Sequence, residues 1–263
     1  MIRRMSAVKH LVVGNWKMHP PSLAEAKKIF RGLVRGMGTY RHVTIAVCPP
    51  AVYLPELRAL YRGRRLVFGA QNCHFLKEGS FTGEIAPPML ASLGARLVIV
   101  GHSERRAMGE DNALVRKKLK AVLDEGMEAV LCIGEARRDG AGEYVAFLTE
   151  QLKSALSGLT TEELSRVCVA YEPLWAIGKS AAESAVRPSH VHEMVIFVRK
   201  FVHQRYGRDV AEGVRVLYGG SVEPANAEAL LFEGRASGLL VGHASLVPKD
   251  FLAITALADR PAL

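Results

Sequence analysis

The chain has 263 residues, with 35 Lys and Arg against 26 Asp and Glu, so its formal net charge is +9. Hydrophobic residues make up 49% of the sequence and charged residues 23%. These fractions are those of a packed globular protein and exclude disordered, collagen-like and low-complexity classes. The length suits one large α/β domain. The positive charge favours an anionic partner, which can be a nucleic acid, a membrane surface or a phosphorylated small molecule.

The four cysteines, at positions 48, 73, 132 and 168, form no CxxC pair, so we expect no zinc site. Three of them lie in apolar runs, where a cysteine usually packs as a small core residue. We therefore expect a reducing, cytoplasmic location. The apolar stretch near the N-terminus is too short for a signal peptide, and no stretch reaches about 18 apolar residues, so we expect no membrane association.

Eight short apolar runs, most of them rich in Val, Leu and Ile, recur along the chain. Continuous apolarity, rather than alternation with polar residues, is typical of strands buried on both faces, as in a parallel sheet. Each run ends in Gly, Pro, Ser or a polar cluster. The predicted strands cover residues 10–13, 43–48, 65–68, 96–100, 129–133, 167–170, 214–217 and 238–241.

Helical patterns fill most of the gaps between these strands. Ser22 suits an N-cap because Glu25 follows three residues later, and Pro224 and Pro248 suit the first turns of two helices. Further helices are predicted over residues 22–36, 113–123, 143–156 and 190–206. A strand followed by a helix, eight times, predicts an α/β protein with a (β/α)8 barrel, the TIM barrel. No linker or composition shift divides the chain, so residues 1–263 are predicted to form a single domain.

The alternative fold is a doubly wound open sheet. Such a sheet usually carries GxGxxG after its first strand, whereas the first predicted strand here is followed by GNWKM. The count of eight strands also favours a closed barrel.

Candidate chemical groups follow the predicted strands. In a (β/α)8 barrel the active site lies at the C-terminal ends of the strands, so we expect polar residues there to project into one bowl. Glycine-bearing turns after strands seven and eight offer backbone N–H groups that can bind a phosphate group. The alternative for either turn alone is that its glycine only permits a tight turn. These strand ends carry Asn15, Lys17, His102, Ser103, Glu104, Glu172, the 219–221 turn, Gly242 and His243.

Glu172 and His102 are the candidate proton-transfer residues. Glu172 ends an apolar strand, where partial removal from water suits a carboxylate to exchange a proton near neutral pH; the alternative is a structural ion pair. His102 precedes the predicted helix start at Ser103, which disfavours an imidazolium and suits a neutral imidazole that donates a hydrogen bond; the alternative is a purely structural histidine. With Lys17, these groups suit proton abstraction next to a carbonyl. The sequence has no metal-ligand cluster and no redox motif, so we expect no metal and no cofactor.

Eight motifs run along the chain in a fixed order. They are GNWKM (14–18), GAQN (69–72), FTGEI (81–85), GHSERR (101–106), CIGE (132–135), AYEPLWAIG (170–178), LYGGSV (217–222) and VGHASL (241–246). In this combination the chain resembles the triosephosphate isomerase family. The resemblance implies an enzyme that interconverts dihydroxyacetone phosphate and D-glyceraldehyde 3-phosphate through an enediol(ate).

The resemblance also implies a role for each catalytic candidate. Glu172 is expected to shuttle the proton between C1 and C2, while His102 and Lys17 polarise the carbonyl; this family is itself a standard example of a glutamate base paired with a neutral histidine. Asn15 is expected to help position the substrate, and Glu104 to hold Lys17.

The substrate phosphate is expected to bind backbone groups of Gly178, Ser221, Gly242 and His243. Residues 173–178 are expected to begin a closing lid, a device for which this family is again a standard example. Among the departures from the family pattern, His243 stands where a second glycine is usual, and the lid hinge at residues 179–188 is longer. These departures leave isomerisation of a four-carbon ketose phosphate as an alternative.

The 73–88 segment is long and carries apolar side chains at Phe75, Phe81 and Ile85. Exposed apolar groups on a loop need a partner surface. The resemblance implies a homodimer in which this loop enters the neighbouring subunit and Thr82 reaches towards its active site. The alternative is an Ω-loop packed on its own barrel.

A function of another class, nucleic-acid or anion binding on the same barrel, is suggested by two basic clusters. They are Arg62, Arg64 and Arg65, and Arg116, Lys117, Lys118 and Lys120. We interpret both as solvated faces, because they lack interleaved aromatic residues and any nucleic-acid-binding motif. A catalytically idle scaffold is disfavoured by the joint presence of Lys17, His102 and Glu172. We therefore expect a phosphorylated triose as the partner, and no nucleic acid.

Overall fold

The computed structural model describes residues 9–138, 140, 142–176 and 186–260. Eight parallel strands follow one another in chain order and close into a barrel, with the first strand paired to the last. The predicted (β/α)8 barrel is therefore confirmed. The strands are β1 His10–Asn15, β2 Val43–Cys48, β3 Leu66–Ala70, β4 Leu97–Val100, β5 Glu128–Ile133, β6 Val167–Tyr171, β7 Arg215–Tyr218 and β8 Gly238–Val241.

Helices separate the strands. Those in the described part of the chain are α1 Leu23–Gly36, α2 Leu54–Ala59, α3 Pro87–Ser92, α4 Ser103–Ala107, α5 Asn112–Asp124, α6 Glu143–Leu156, α7 Thr161–Leu164, α8 Pro188–Tyr206, α9 Arg208–Gly213, α10 Pro224–Phe232 and α11 Pro248–Ala258. Short 3-10 segments lie at Ala51–Tyr53, Leu174–Ala176 and His243–Leu246. No helix described here is long and apolar enough to cross a bilayer.

The predicted boundaries agree with these elements to within one or two residues, and the ends show why they differ. The Ser22 hydroxyl accepts a hydrogen bond from Glu25 N at 3.3 Å, so the predicted N-cap is confirmed and α1 begins one residue later. Strand β1 runs two residues beyond its apolar run, because Gly14 and Asn15 continue the ladder opposite β2. Asn15 is therefore the last residue of a strand.

The core has two layers separated by the barrel wall. Leu11 and Val13 of β1 belong to the cluster inside the barrel, whereas Val12 between them belongs to the cluster shared with α1 residues such as Phe30. Both faces of each strand are thus buried, which explains the continuous apolarity of the sequence. Cys48, Cys132 and Cys168 lie in the inner cluster, as expected for small core residues.

Lys118 corrects one sequence-based interpretation. It lies on the buried face of α5, with a side chain only 2% exposed, and is not part of a solvated basic face. Its Nζ donates hydrogen bonds to Glu110 Oε1 at 2.5 Å and to Asn72 Oδ1 at 2.9 Å. Arg105 Nε donates to the same Glu110 oxygen at 2.7 Å. A buried cation is stable here because it is paired and hydrogen-bonded.

The seam between β1 and β8 gives a test of the fold. A Cβ at Gly238 would overlap the backbone oxygen of Leu11, so we expect Gly238→Ala to lower the free energy of unfolding by about 3 kcal/mol. Gly38→Ala is the control, because its new Cβ meets only Tyr40 side-chain atoms, at 3.7 Å. Urea denaturation of both variants measures the difference. Equal midpoints for the two variants would contradict the described seam.

Candidate active site

A cleft of about 470 Å³ opens at the C-terminal end of the barrel. This volume is within the usual range for small-molecule sites. The ends of β1, β4, β7 and β8 contribute side chains and turns to it, as the strand-end argument predicts. Its lining includes Asn15, Lys17, His102, Gly219, Gly220, Ser221, Gly242 and His243.

Glu172 lies immediately after β6 and is 1% exposed. Its backbone N–H donates to Ile133 O at 2.8 Å, which ties the residue to β5. Its Oε2 accepts a hydrogen bond from the Ser103 backbone N–H at 2.9 Å, and its Oε1 lies 3.3 Å from His102 Nε2. Oε1 is buried and has no hydrogen-bond partner within the described part of the chain. The carboxylate therefore has one anchored oxygen and one oxygen open to a proton donor.

Two glycines shape the space around Glu172. A Cβ at Gly134 would overlap the Glu172 backbone oxygen, and a Cβ at Gly219 would lie 2.9 Å from its Cγ. Cys132 contacts the carboxylate from within the barrel; burial raises the pKa of the Cys132 thiol, and the Glu172 charge adds to this effect. The thiol is thus a neutral neighbour of the carboxylate, whereas the partly buried Arg106 interacts with it as a cation.

His102 is the N-cap of α4. Its Nδ1 accepts a hydrogen bond from the Glu104 backbone N–H at 3.2 Å, while the Glu104 carboxylate is further away, with Oε2 3.6 Å from Nδ1. A ring nitrogen that accepts a hydrogen bond carries no proton of its own. This hydrogen bond therefore fits a neutral ring with its proton on Nε2. Nε2 is the nitrogen that faces Glu172. The geometry thus fits a hydrogen-bond donor.

Lys17 follows β1 in a turn with a positive φ of 52°. Its Nζ pairs with Glu104 Oε1 at 2.8 Å, and its backbone N–H donates to Asn15 Oδ1 at 3.0 Å. Burial alone would raise the pKa of Glu104, but its hydrogen bond and charge interaction with Lys17 bring that pKa below its usual value. Glu104 therefore holds Lys17 as a carboxylate, and Asn15 also fixes the Lys17 turn.

The two glycine turns form one wall of the cleft, and the first of them lies next to Glu172. A Cβ at Gly242 would approach Lys17 Cε to 3.5 Å, so this backbone lies beside the ammonium group. The Ser221 hydroxyl donates to Ala176 O at 2.9 Å, which links the turn after β7 to the segment after β6. Gly242 O accepts from the Ser245 hydroxyl at 2.7 Å. Backbone groups from both turns and one cation therefore border a single cleft.

The sequence patterns assign no role to Gln71 or Glu135, although both stand in quoted motifs. Gln71 Nε2 donates to Lys17 O and to Cys48 O, each at 2.8 Å, and so fixes the Lys17 turn from β3. Glu135 Oε1 accepts from Tyr171 OH at 2.7 Å and from Trp175 Nε1 at 3.0 Å. Their positions, directly after apolar strands, are the signal that could have identified them.

Not every predicted site residue lines this cleft: Ser103, Glu104 and Glu172 are absent from its lining, although Glu104 and Glu172 contact the lining residues Lys17 and His102. Thr82 is exposed in the loop after β3 and is not among the residues that line the cleft. Gly178 lies outside the described residues, as do 177 and 179–185 of the predicted lid and its hinge. Leu174–Ala176, the described start of the predicted lid, is a 3-10 turn, and its Trp175 donates a hydrogen bond to Glu135. Among described residues, no group of three His, Cys, Asp or Glu could hold a metal ion.

Comparison with known proteins identifies the family of the chain and its fold. The family model described as triosephosphate isomerase matches residues 10–258. The chain is 40% identical to a triosephosphate isomerase from Roseiflexus sp. (strain RS-1), over 93% of this chain and 95% of that protein. It is 39% identical to one from Carboxydothermus hydrogenoformans, over 94% and 97%. A crystal structure of triosephosphate isomerase from Bartonella henselae superposes with a TM-score of 0.81 at 35% identity, covering 96% of this chain and 100% of that one. The chain belongs to the triosephosphate isomerase family.

Proposed function

We propose that Glu172, His102 and Lys17 carry out the isomerisation of this family, the interconversion of dihydroxyacetone phosphate and D-glyceraldehyde 3-phosphate. The observation that carries the proposal is the position of Glu172 Oε1, 3.3 Å from His102 Nε2, beside a cleft that His102 and Lys17 both line. A carboxylate, an imidazole donor and an ammonium group then face one bound molecule. This set of groups suits proton transfer next to a carbonyl.

Each step of the reaction uses one of these groups. Glu172 accepts the proton from the carbon beside the carbonyl and returns it to the neighbouring carbon, so the enzyme gains and loses nothing over one turnover. His102 gives its Nε2 proton to the substrate oxygen on which negative charge develops and takes the proton of the adjacent hydroxyl, so that the carbonyl and hydroxyl oxygens exchange roles. Lys17, held by Glu104, stabilises the same charge electrostatically. The enediolate is the intermediate between the two proton transfers.

The phosphate group fixes the orientation of the substrate in the cleft. Backbone groups of Ser221, Gly242 and His243, with Gly178 from the lid, are proposed to bind it next to the Lys17 ammonium. Closure of the lid excludes water and protects the enediolate. The side chain of His243 borders the same cleft, which keeps a four-carbon ketose phosphate as the alternative substrate.

A homodimer formed through the 73–88 loop is the proposed assembly. Within the loop, His74 N donates to Ile85 O at 2.8 Å, and the His74 ring contacts Phe75 and Phe81, each at 4.4 Å between centroids. The loop is thus closed on itself, yet Phe81 is 45% exposed. An ordered loop that presents an exposed aromatic ring suits insertion into a second copy of the chain.

A cytoplasmic location is proposed from the cysteines. All four are free and buried, and burial raises the pKa of Cys73 and of Cys168 to about 12, so neither thiol ionises readily. Unpaired, protonated thiols are typical of a reducing compartment.

Replacement of the proposed base tests the mechanism. We expect Glu172→Gln to lower kcat by about 10² to 10⁴-fold with little change in KM, because the proton acceptor is lost while the phosphate contacts remain. Glu150→Gln, on the exposed face of α6, is the matched control and should behave as wild type. Both are measured with triose phosphates and with a four-carbon ketose phosphate. Unchanged turnover in Glu172→Gln, or a higher kcat/KM of wild type for the four-carbon substrate, would reject the proposal.

The dimer is tested by placing a charge on the exposed loop ring. We expect the wild type to have twice the mass of one chain in light scattering, and Phe81→Glu to have the mass of one chain, because a buried interface does not tolerate an unpaired carboxylate. Phe147→Glu introduces the same charge on α6 at a ring that is 53% exposed, and should remain dimeric. A monomeric wild type, or a dimeric Phe81→Glu, would show that the loop packs only on its own barrel.

A further inference from the structure

A second cavity opens at the other end of the barrel, away from the catalytic cleft. Its volume is about 820 Å³, against about 470 Å³ for the cleft. His10 at the start of β1, Val214 before β7 and Ser237 before β8 line it, so it lies at the N-terminal ends of the strands. Strand β1 has its other end, Asn15, in the cleft; at a rise of about 3.3 Å per residue the two ends are roughly 16 Å apart.

The lining of this N-terminal cavity is strongly cationic. Arg199 and Lys200 come from α8, Arg208 from α9, and Arg235 from the turn between α10 and β8. Glu212 is the carboxylate among the described lining residues, and its Oε1 is paired with Arg208 Nε at 2.7 Å. His203 adds a further basic group. The charges of the other three cations are therefore not matched by carboxylates in the lining.

Arg199 is the cation of this cavity that has a buried polar atom without a partner among the described residues. Its Nε is buried and has no hydrogen-bond partner within the described part of the chain. Burial lowers the pKa of this guanidinium, and the nearby positive charge of Arg235 lowers it further, while Glu212 opposes both effects. A partly buried cation beside another cation is unfavourable unless an anion is bound. The arrangement therefore points to a ligand that carries the missing negative charge.

The backbone at Arg235 gives an independent indication. Lys17 and Arg235 are the two non-glycine residues in the described chain with positive φ, at 52° and 51°. Residues with a Cβ are disfavoured in the left-handed region, and such conformations tend to occur at functional sites. Lys17 lines the catalytic cleft, and Arg235 lines the N-terminal cavity. Glycine or asparagine would adopt this turn more readily, yet the chain has Arg235 here, and Arg235 lines the N-terminal cavity.

We propose that the N-terminal cavity binds a small metabolite with two or more phosphate groups. Guanidinium groups bind phosphate oxygens through paired hydrogen bonds, and the cations stand on three separate elements, so one ligand must present charge in more than one direction. A concave site of this volume suits a small molecule better than the continuous backbone of a nucleic acid. The proposal does not depend on the reaction at the opposite end of the barrel.

Calorimetric titration of the full chain with inorganic pyrophosphate tests this site. We expect Arg235→Asp to weaken pyrophosphate binding by about tenfold or more, because it replaces an attractive charge by a repulsive one. Asp tolerates positive φ, and its carboxylate would face Arg199, so the variant should fold and keep the wild-type kcat/KM. Arg235→Lys retains the charge and should bind almost as tightly as wild type.

Arg62→Asp is the matched control. It makes the same change in net charge on an exposed loop that lines neither cavity, and should leave pyrophosphate binding unchanged. Equal binding by wild type and Arg235→Asp would overturn the proposal, since pyrophosphate would then occupy only the catalytic cleft. Binding of single-stranded RNA that depends on Arg235, without binding of pyrophosphate, would also overturn it and assign the cavity to a macromolecular surface.

Discussion

Closure of the barrel by β1 and β8 is the constraint on which the rest of the structure depends. The two strands pair in parallel from Leu11 opposite Gly238 to Gly14 opposite Val241. Gly238 allows this approach, because a Cβ there would overlap the Leu11 backbone oxygen. The pairing joins the first strand of the barrel to the last.

The catalytic cleft is a direct consequence of that closure. Parallel strands place all their C-terminal ends at one rim, so the Lys17 turn after β1 meets the Gly242 backbone after β8. The same rim brings His102 of the fourth unit to Glu172 of the sixth. The Glu172 carboxylate is buried and contacts the cleft residue His102, whereas the Lys17 ammonium lines the cleft and is partly exposed.

Much of this arrangement could be predicted from the sequence because its causes are local. Continuous apolar runs mark the strands, since both faces of each strand are buried, and Ser22 marks a helix start through its own hydroxyl. The short helix α4 has only five residues, too few to show a period, although His102 and Ser103 are correctly predicted at its start. The prediction of a solvated basic face is wrong at Lys118, because the burial of this side chain depends on Glu110 and on the distant Asn72.

Other features depend on contacts that no local pattern contains. Gln71 and Glu135 act through partners on other strands, and their roles emerge only when those strands are adjacent. Arg199 and Arg235 belong to different elements, so the N-terminal cavity and its unmatched charge have no signature in sequence. Cations that have no carboxylate partner in the lining of this second cavity contribute to the net charge of +9.

The central claim is that Glu172 transfers a proton between two carbons of a triose phosphate. Running the isomerisation in deuterium oxide and locating the label by NMR tests it most directly. A carboxylate base exchanges its proton with solvent, so we expect deuterium in the product at the carbon that receives the proton. A product formed at full conversion without deuterium at that carbon would indicate direct hydride transfer and contradict the claim.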